Sequence, residues 1–184
     1  MLVLIRVFVA LFTFAFMKNK YLFLISFVVF LITMAGMLYT EKLATCGEKI
    51  IIPLELAPSA IAFKNLLISS CNLDWIERNT QLDFLFILTY TATIFFALKG
   101  LTESSIWLKS KQKYLWLVIL PGVLDAIENV HLIKFLRLDI SQISDASYIT
   151  YSWCVHVKFV LLIVLVLTIG ALSVKEIYQR VASR

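Results

Sequence analysis

Residues 21–39 read YLFLISFVVFLITMAGMLY, nineteen residues without a formal charge. A helix that crosses the hydrocarbon core of a bilayer needs about 20 predominantly apolar residues. This run meets that length, and it has no charged face to turn toward water. Three more stretches satisfy the same criterion: 82–98 (LDFLFILTYTATIFFAL), 114–135 (YLWLVILPGVLDAIENVHLIKF) and 151–174, in which 163–169 is almost purely branched aliphatic. Composition agrees. Of the 184 residues 61% are hydrophobic and only 16% charged, and the mean hydropathy is +0.90. A soluble domain sits near half apolar and a quarter charged. The expected fold is therefore an all-α integral membrane bundle of four transmembrane helices.

The net charge of +5 does not point to nucleic acid. The basic residues form no stripe, and cytoplasmic Lys and Arg are normal in membrane proteins. Orientation follows from where they lie. Connection 99–113 carries Lys99, Lys109, Lys111 and Lys113, and the C-terminus carries Lys175, Arg180 and Arg184. Loop 40–81 has Lys42, Lys49, Lys64 and Arg78 against Glu41, Glu48, Glu55, Asp74 and Glu77. Both termini are expected in the cytoplasm and loop 40–81 outside, which in a bacterium means the cytoplasmic (inner) membrane. Tyr21, Tyr39, Tyr114, Trp116, Tyr148, Tyr151 and Trp153 fall near span ends, where interfacial aromatics belong.

The chain divides into an N-terminal segment, 1–20, and one membrane domain, 21–184. The sequence Met17-Lys18-Asn19-Lys20 ahead of a long apolar run reads as a bacterial start, so translation is expected to begin at Met17. A fifth short helix and a signal peptide are the rival readings of the first 16 residues. Loop 40–81 is too long for a bare connection. Its 58–68 stretch reads as a helix with Pro58 in the first turn and Ile61, Leu67 and Ile68 on one face, lying in the interface as a lid or packing on the span ends. Cys46 and Cys71 share this loop and are expected to pair as a disulfide in an oxidising compartment.

The informative residues are polar ones at bilayer depth. Asp125, Glu128 and Lys134 together oppose insertion of the third span by roughly 9 kcal/mol on insertion scales. Asp125, Glu128 and Asn129 fall at i, i+3 and i+4, one helix face, with His131 three residues on. Pro121-Gly122, a turn earlier, is expected to weaken or kink the helix. Asp83 and Tyr90 share a face of the second span, and His156 and Lys158 lie early in the fourth. With the topology above, all of these sort into the outer half of the bundle. That arrangement reads as a polar cleft open to the extracytoplasmic side. Asp125 and Glu128 are the pair suited to acid–base work. Asp83, Tyr90, Asn129, His131 and His156 would bind substrate, and Lys158 would hold charge.

Glu128-x-x-His131 has the spacing of carboxylate-bridged metal bundles, but no second copy exists. Two histidines at similar depth could also bracket a haem iron. No metal ligand set is assigned, and no cofactor is specified by the sequence. Nucleophile-elbow, phosphate-loop, dinucleotide and C-x-x-C motifs are missing from it.

Leu54-Glu55-Leu56-Ala57, Asp83-Phe84-x-Phe86 with Tyr90, and Asp125-x-x-Glu128-Asn129 together resemble a loosely defined set of uncharacterised bacterial four-span membrane proteins. The resemblance runs from about residue 20 onward. It implies no activity, but it implies that Glu55 joins the other acids in the cleft.

The leading expectation is a membrane protein whose outer-leaflet cleft binds a lipid-like substrate, with acid–base modification as its natural chemistry. The alternatives are an assembly subunit whose polar cluster is helix–helix glue, a proton- or ion-coupled carrier, and a haem or metal protein. Membrane lipids are the expected partners, with a homo-oligomer or a partner membrane subunit compatible with the same sequence.

Overall fold

The computed structural model describes residues 20–44, 51–70, 72–104 and 115–182. All of these elements are helical: α1 (Lys20–Ala44), α2 (Ile51–Glu55), α3 (Ala60–Ser69), α4 (Leu73–Ser104), α5 (Ile119–Arg137), a 3₁₀ turn (Ile140–Gln142) and α6 (Asp145–Ala182). No strand occurs among the described residues. Among the described residues four helices are long and apolar enough to cross a membrane: Tyr21–Leu43, Leu73–Gly100, Leu115–Arg137 and Asp145–Lys175. The chain is an all-α bundle of the multi-pass membrane type. The expected Cys46–Cys71 pair and the N-terminal segment lie outside the described residues.

Two helices exceed what a bilayer requires. At 1.5 Å per residue, α4 is about 48 Å long and α6 about 57 Å, against a hydrocarbon core of about 30 Å. Local capping sets where they start. The Trp75 amide donates to Asn72 Oδ1 at 3.4 Å, and the Ser147 amide donates to Ser144 Oγ at 3.2 Å. Each side chain satisfies one of the unpaired amides that open a helix. The second span therefore begins at Leu73, well before Leu82. The outer loop is correspondingly shorter than 40–81, and it carries two short helices rather than one.

Pro121 sits in the first turn of α5, directly after a 3₁₀ turn over 115–118. There its missing N–H removes no helical hydrogen bond. Pro121-Gly122 thus marks a helix start and not an interior weak point. Gly122 instead permits close approach. A Cβ there would lie 2.7 Å from Thr91 Oγ1 and 3.4 Å from Ile87 Cγ2.

The spanning helices pack in sequence, α1 on α4, α4 on α5, α5 on α6. Between α1 and α4, Thr33 Oγ1 lies 3.1 Å from Thr89 Oγ1. Asn79 Nδ2 donates to the Met37 carbonyl at 2.8 Å and to Thr40 Oγ1 at 2.6 Å. Helices α1 and α6 stand at the two ends of this row.

One end of the bundle is closed by α3. Ser59 caps it, accepting from the Ala62 amide at 3.2 Å. Its buried residues are Ala60, Phe63 and Leu67, and the Phe63 ring stacks among Phe135, Tyr148 and Tyr151 at centroid distances of 5.5–5.6 Å. Ile61 and Ile68, which the spacing groups with Leu67, part from it: they point outward and are 72% and 67% exposed, while Leu67 is buried. Phe63 and Leu67 take the inner face because they, with Ala60, keep the i, i+3, i+7 spacing of a stripe. The helix is therefore packed on the span ends and also presents two isoleucines to its surroundings. At the opposite end an apolar cluster is built on Leu98, Val118 and Ile169 with Phe95, Leu115 and Leu172 against them, and Thr102 and Ser173 are buried there as well.

Candidate functional site

Lys158 is the centre of the buried polar cluster. It lies 13 residues into α6, and Asp125 lies 12 residues before the end of α5, so the antiparallel pair brings them to one level. The Lys158 ammonium is 4% exposed. Its Nζ donates to Asp125 Oδ1 at 2.8 Å, and it lies 2.5 Å from Glu128 Oε2 and 3.7 Å from Glu55 Oε2. One cation thus meets three carboxylates from α2 and α5. An unpaired ammonium at this depth would be costly, and an unpaired carboxylate equally so.

The network extends to α4. The Tyr90 hydroxyl donates to Asp125 Oδ2 at 3.1 Å, so both Asp125 oxygens are engaged. Asn129 Nδ2 donates to Asp83 Oδ2 at 2.7 Å. Four expected residues on two faces, Asp83 and Tyr90 on α4 and Asp125 and Asn129 on α5, therefore meet as the spacing implied. Glu55 joins them because α2 folds inward: Leu54 is fully buried, and the Tyr148 hydroxyl donates to the Ala57 carbonyl. Burial pushes the Glu55 carboxyl above the ordinary carboxylate range, against the pull of the Lys158 ammonium.

The histidines do not belong to this cluster. His131 Nδ1 lies 2.9 Å from the Ile127 carbonyl and His156 Nδ1 2.7 Å from the Ser152 carbonyl, each four residues back on its own helix. His156 is exposed, and His131 is half-buried on the flank of α5. Helical geometry explains the miss. Two residues from Lys158 is a rotation of roughly 200°, which sends His156 to the opposite side of α6. Neither ring contacts the carboxylates around Lys158 in any hydrogen bond of the described residues. No group of three or more His, Cys, Asp or Glu side chains suited to a metal ion occurs among the described residues.

A cavity of about 480 Å³ opens beside the cluster. Asp83, Asp125, Glu55, Tyr90 and Lys158 form part of its wall, joined by Glu41 and Asn79. The rest is apolar: Met34, Met37 and Leu38 from α1, Phe86 and Ile94 from α4, Phe159, Leu162 and Val166 from α6, and Ile51 and Ile52 from α2. It lies in the gap between α1 and α6, where Leu38 and Val166 are exposed at its edge. Glu128 and Asn129 stand behind this wall and do not line it. Glu128 is 0% exposed, and its Oε1 has no hydrogen-bond partner among the described protein atoms.

No family model matches the chain, and no curated protein or solved structure matches it either. The reading of the site therefore rests on its own chemistry.

Glu41 and Asn79 escaped the sequence reading because both were assigned to a loop. In the structure α1 continues past Tyr39 and α4 starts early, so both are helical. The signal was present: Asn79 precedes Asp83 by four residues and so shares its face. A larger apolar groove of about 620 Å³ lies on another side of α4, lined by Ile87, Thr91, Phe95, Trp116, Gly122 and Val123. It holds no ionisable residue and offers no chemistry beyond contact with acyl chains.

Proposed function

We infer that this protein binds a lipid-like amphiphile in the cavity between α1 and α6, with the head group against the carboxylate wall and the tail along the apolar one. The observation that carries this reading is the two-sided lining. Carboxylates, an ammonium and a phenol occupy one part, and methionines, leucines and valine occupy the part that reaches the gap between helices. A pocket of this volume suits a drug-sized ligand with a few polar contacts. Met34 and Met37 supply the adaptable surface that a flexible chain needs.

Division of labour follows from placement. Asp83 and Asp125 stand at the wall and are the groups able to exchange a proton with a bound head. Glu128 acts through Lys158, holding its charge, and Asn129 holds Asp83. Against a carrier or channel, no buried ionisable residue stands at the far end of the bundle among the described residues. Lysine distribution supports the cavity facing the extracytoplasmic side of a bacterial inner membrane. A second reading, in which the network is helix glue, draws on Lys158 joining α2, α5 and α6.

Mass spectrometry of lipids co-purifying with the full chain tests both. Wild type should retain one lipid class enriched over the bulk membrane, and Leu162→Trp, which fills the cavity, should lose it while staying folded. No enrichment in wild type would sink the cavity reading. Asp125→Asn that lowers thermal stability while leaving the retained lipid unchanged would favour the glue.

A further inference from the structure

We propose that the head group this cavity accepts is an ammonium, so that the ligand is a cationic or amine-bearing amphiphile. The inference rests on the cavity reading above and names its ligand class.

The charge inventory of the wall decides the sign. Glu41, Glu55, Asp83 and Asp125 line the cavity, and Lys158 is the single basic residue among the described residues that does so. That lysine is already committed: Asp125 and Glu128 lie within 2.8 Å of its Nζ, with Glu55 at 3.7 Å. Ammonium has three N–H donors, and three carboxylates surround it. A phosphate or carboxylate head would enter a space bordered by acids, with no uncommitted cation among the described residues to meet it. Like charges at close range in low dielectric are costly.

Independent features favour a positive head. Glu41 Oε1 is a buried oxygen without a hydrogen-bond partner among the described residues, on a residue that lines the cavity from α1. Asp83 faces the same space from α4, with only Oδ2 given to Asn129. Aromatic rings complete the set. Phe86 and Tyr90, with centroids 5.5 Å apart, and Phe159 all line the cavity. Phe159 already takes an ammonium against its ring, with Lys158 Nζ 4.9 Å from the centroid. Carboxylates combined with aromatic faces are the chemistry that recognises primary and quaternary ammonium groups. An inorganic cation would use the acids and leave the long apolar wall without purpose.

An amine-bearing phospholipid and a free long-chain amine share this head chemistry. Equilibrium binding to the purified full chain in maltoside micelles separates the outcomes, with three probes of equal chain length: hexadecylamine, hexadecanoate and hexadecanol. The amine should bind at least about tenfold more tightly than either of the others, the effect of one desolvated cation–carboxylate or cation–π contact. Glu41→Gln combined with Asp83→Asn should remove most of that preference while leaving hexadecanol binding within about twofold. Competition by an ethanolamine phospholipid but not by a glycerol phospholipid would assign the source to the bilayer, and amine binding without such competition would assign it to a free amine. Equal binding of all three probes, or preference for hexadecanoate, would overturn the ammonium head while leaving the amphiphile cavity standing. Binding of none would overturn both. The probe comparison is made on the unaltered protein, so a variant that fails to fold does not obscure it.

Discussion

At the scale of single residues, Lys158 carries the largest consequence. Its ammonium is the counter-charge of three carboxylates in a site nearly closed to solvent. Lys158→Met leaves those acids uncompensated, and the expected cost is about 3–5 kcal/mol in reversible unfolding in micelles, the usual penalty for removing one partner of a buried pair. The same change made together with Asp125→Asn and Glu128→Gln should cost far less, because no stranded charge remains. Contrast is available at the rim. Arg137 also meets a carboxylate, with Nη2 at 2.5 Å from Glu77 Oε1, but its side chain is 64% exposed, so Arg137→Gln should leave the midpoint nearly unmoved. Glu55 adds a pH signature. Its carboxyl is raised by burial, so the folded state holds its proton to higher pH than the unfolded chain does. Folding is therefore favoured at low pH by this group, and stability falls as pH rises from the ordinary carboxylate range through the raised value. Glu55→Gln should flatten that fall, and a pH series of unfolding midpoints for the two proteins checks it.

Among elements, the crossing of α4 and α5 and the plug formed by α3 are the two contacts with identifiable weak points. Gly122→Ala places a methyl 2.7 Å from Thr91 Oγ1. Overpacking of this kind costs about 1–3 kcal/mol, and Thr91→Ala in the same chain should recover part of it, which a double-mutant cycle would reveal. Phe63 is wholly buried among three aromatic rings, and Phe63→Ala should cost about 3–5 kcal/mol in the same assay. These elements also show what a sequence discloses. Four spans were legible because each carries its apolar length within itself. Asp83, Tyr90, Asp125, Asn129 and Lys158 were legible because charge at bilayer depth is expensive, so such residues must seek one another. Helix ends were not legible. Asn72 and Ser144 cap helices longer than any bilayer needs, and hydropathy is silent about helix that continues into the headgroup region. Glu41 and Asn79 were lost for that reason. The inward fold of α2 depends on Leu54 and the Tyr148–Ala57 hydrogen bond, contacts between segments far apart in the chain, which no local pattern reports. The histidines lie at the depth of the cluster but not on its side, because depth along a helix leaves rotation about its axis unspecified.

For the whole molecule, the asymmetry between its two ends is the property from which function follows. One end gathers α2, α3, the acids and the cavity, and the other an apolar cluster of Leu98, Val118 and Ile169. On the proposed cavity reading, the orientation of the bundle determines which leaflet supplies the ligand. The orientation we propose, with the cavity end outside, draws on Lys99, Lys109, Lys111 and Lys113 in connection 99–113, against Arg137 with Asp139 and Asp145 in the connection after α5. Single cysteines read this out in a chain whose three native cysteines are replaced by serine. Asp139→Cys should react with a membrane-impermeant maleimide in intact cells, and Lys111→Cys only after the membrane is opened. The reverse pattern would turn the cavity toward the cytoplasm, and the ligand would then have to be sought in the inner leaflet, with the ammonium chemistry of the wall unchanged.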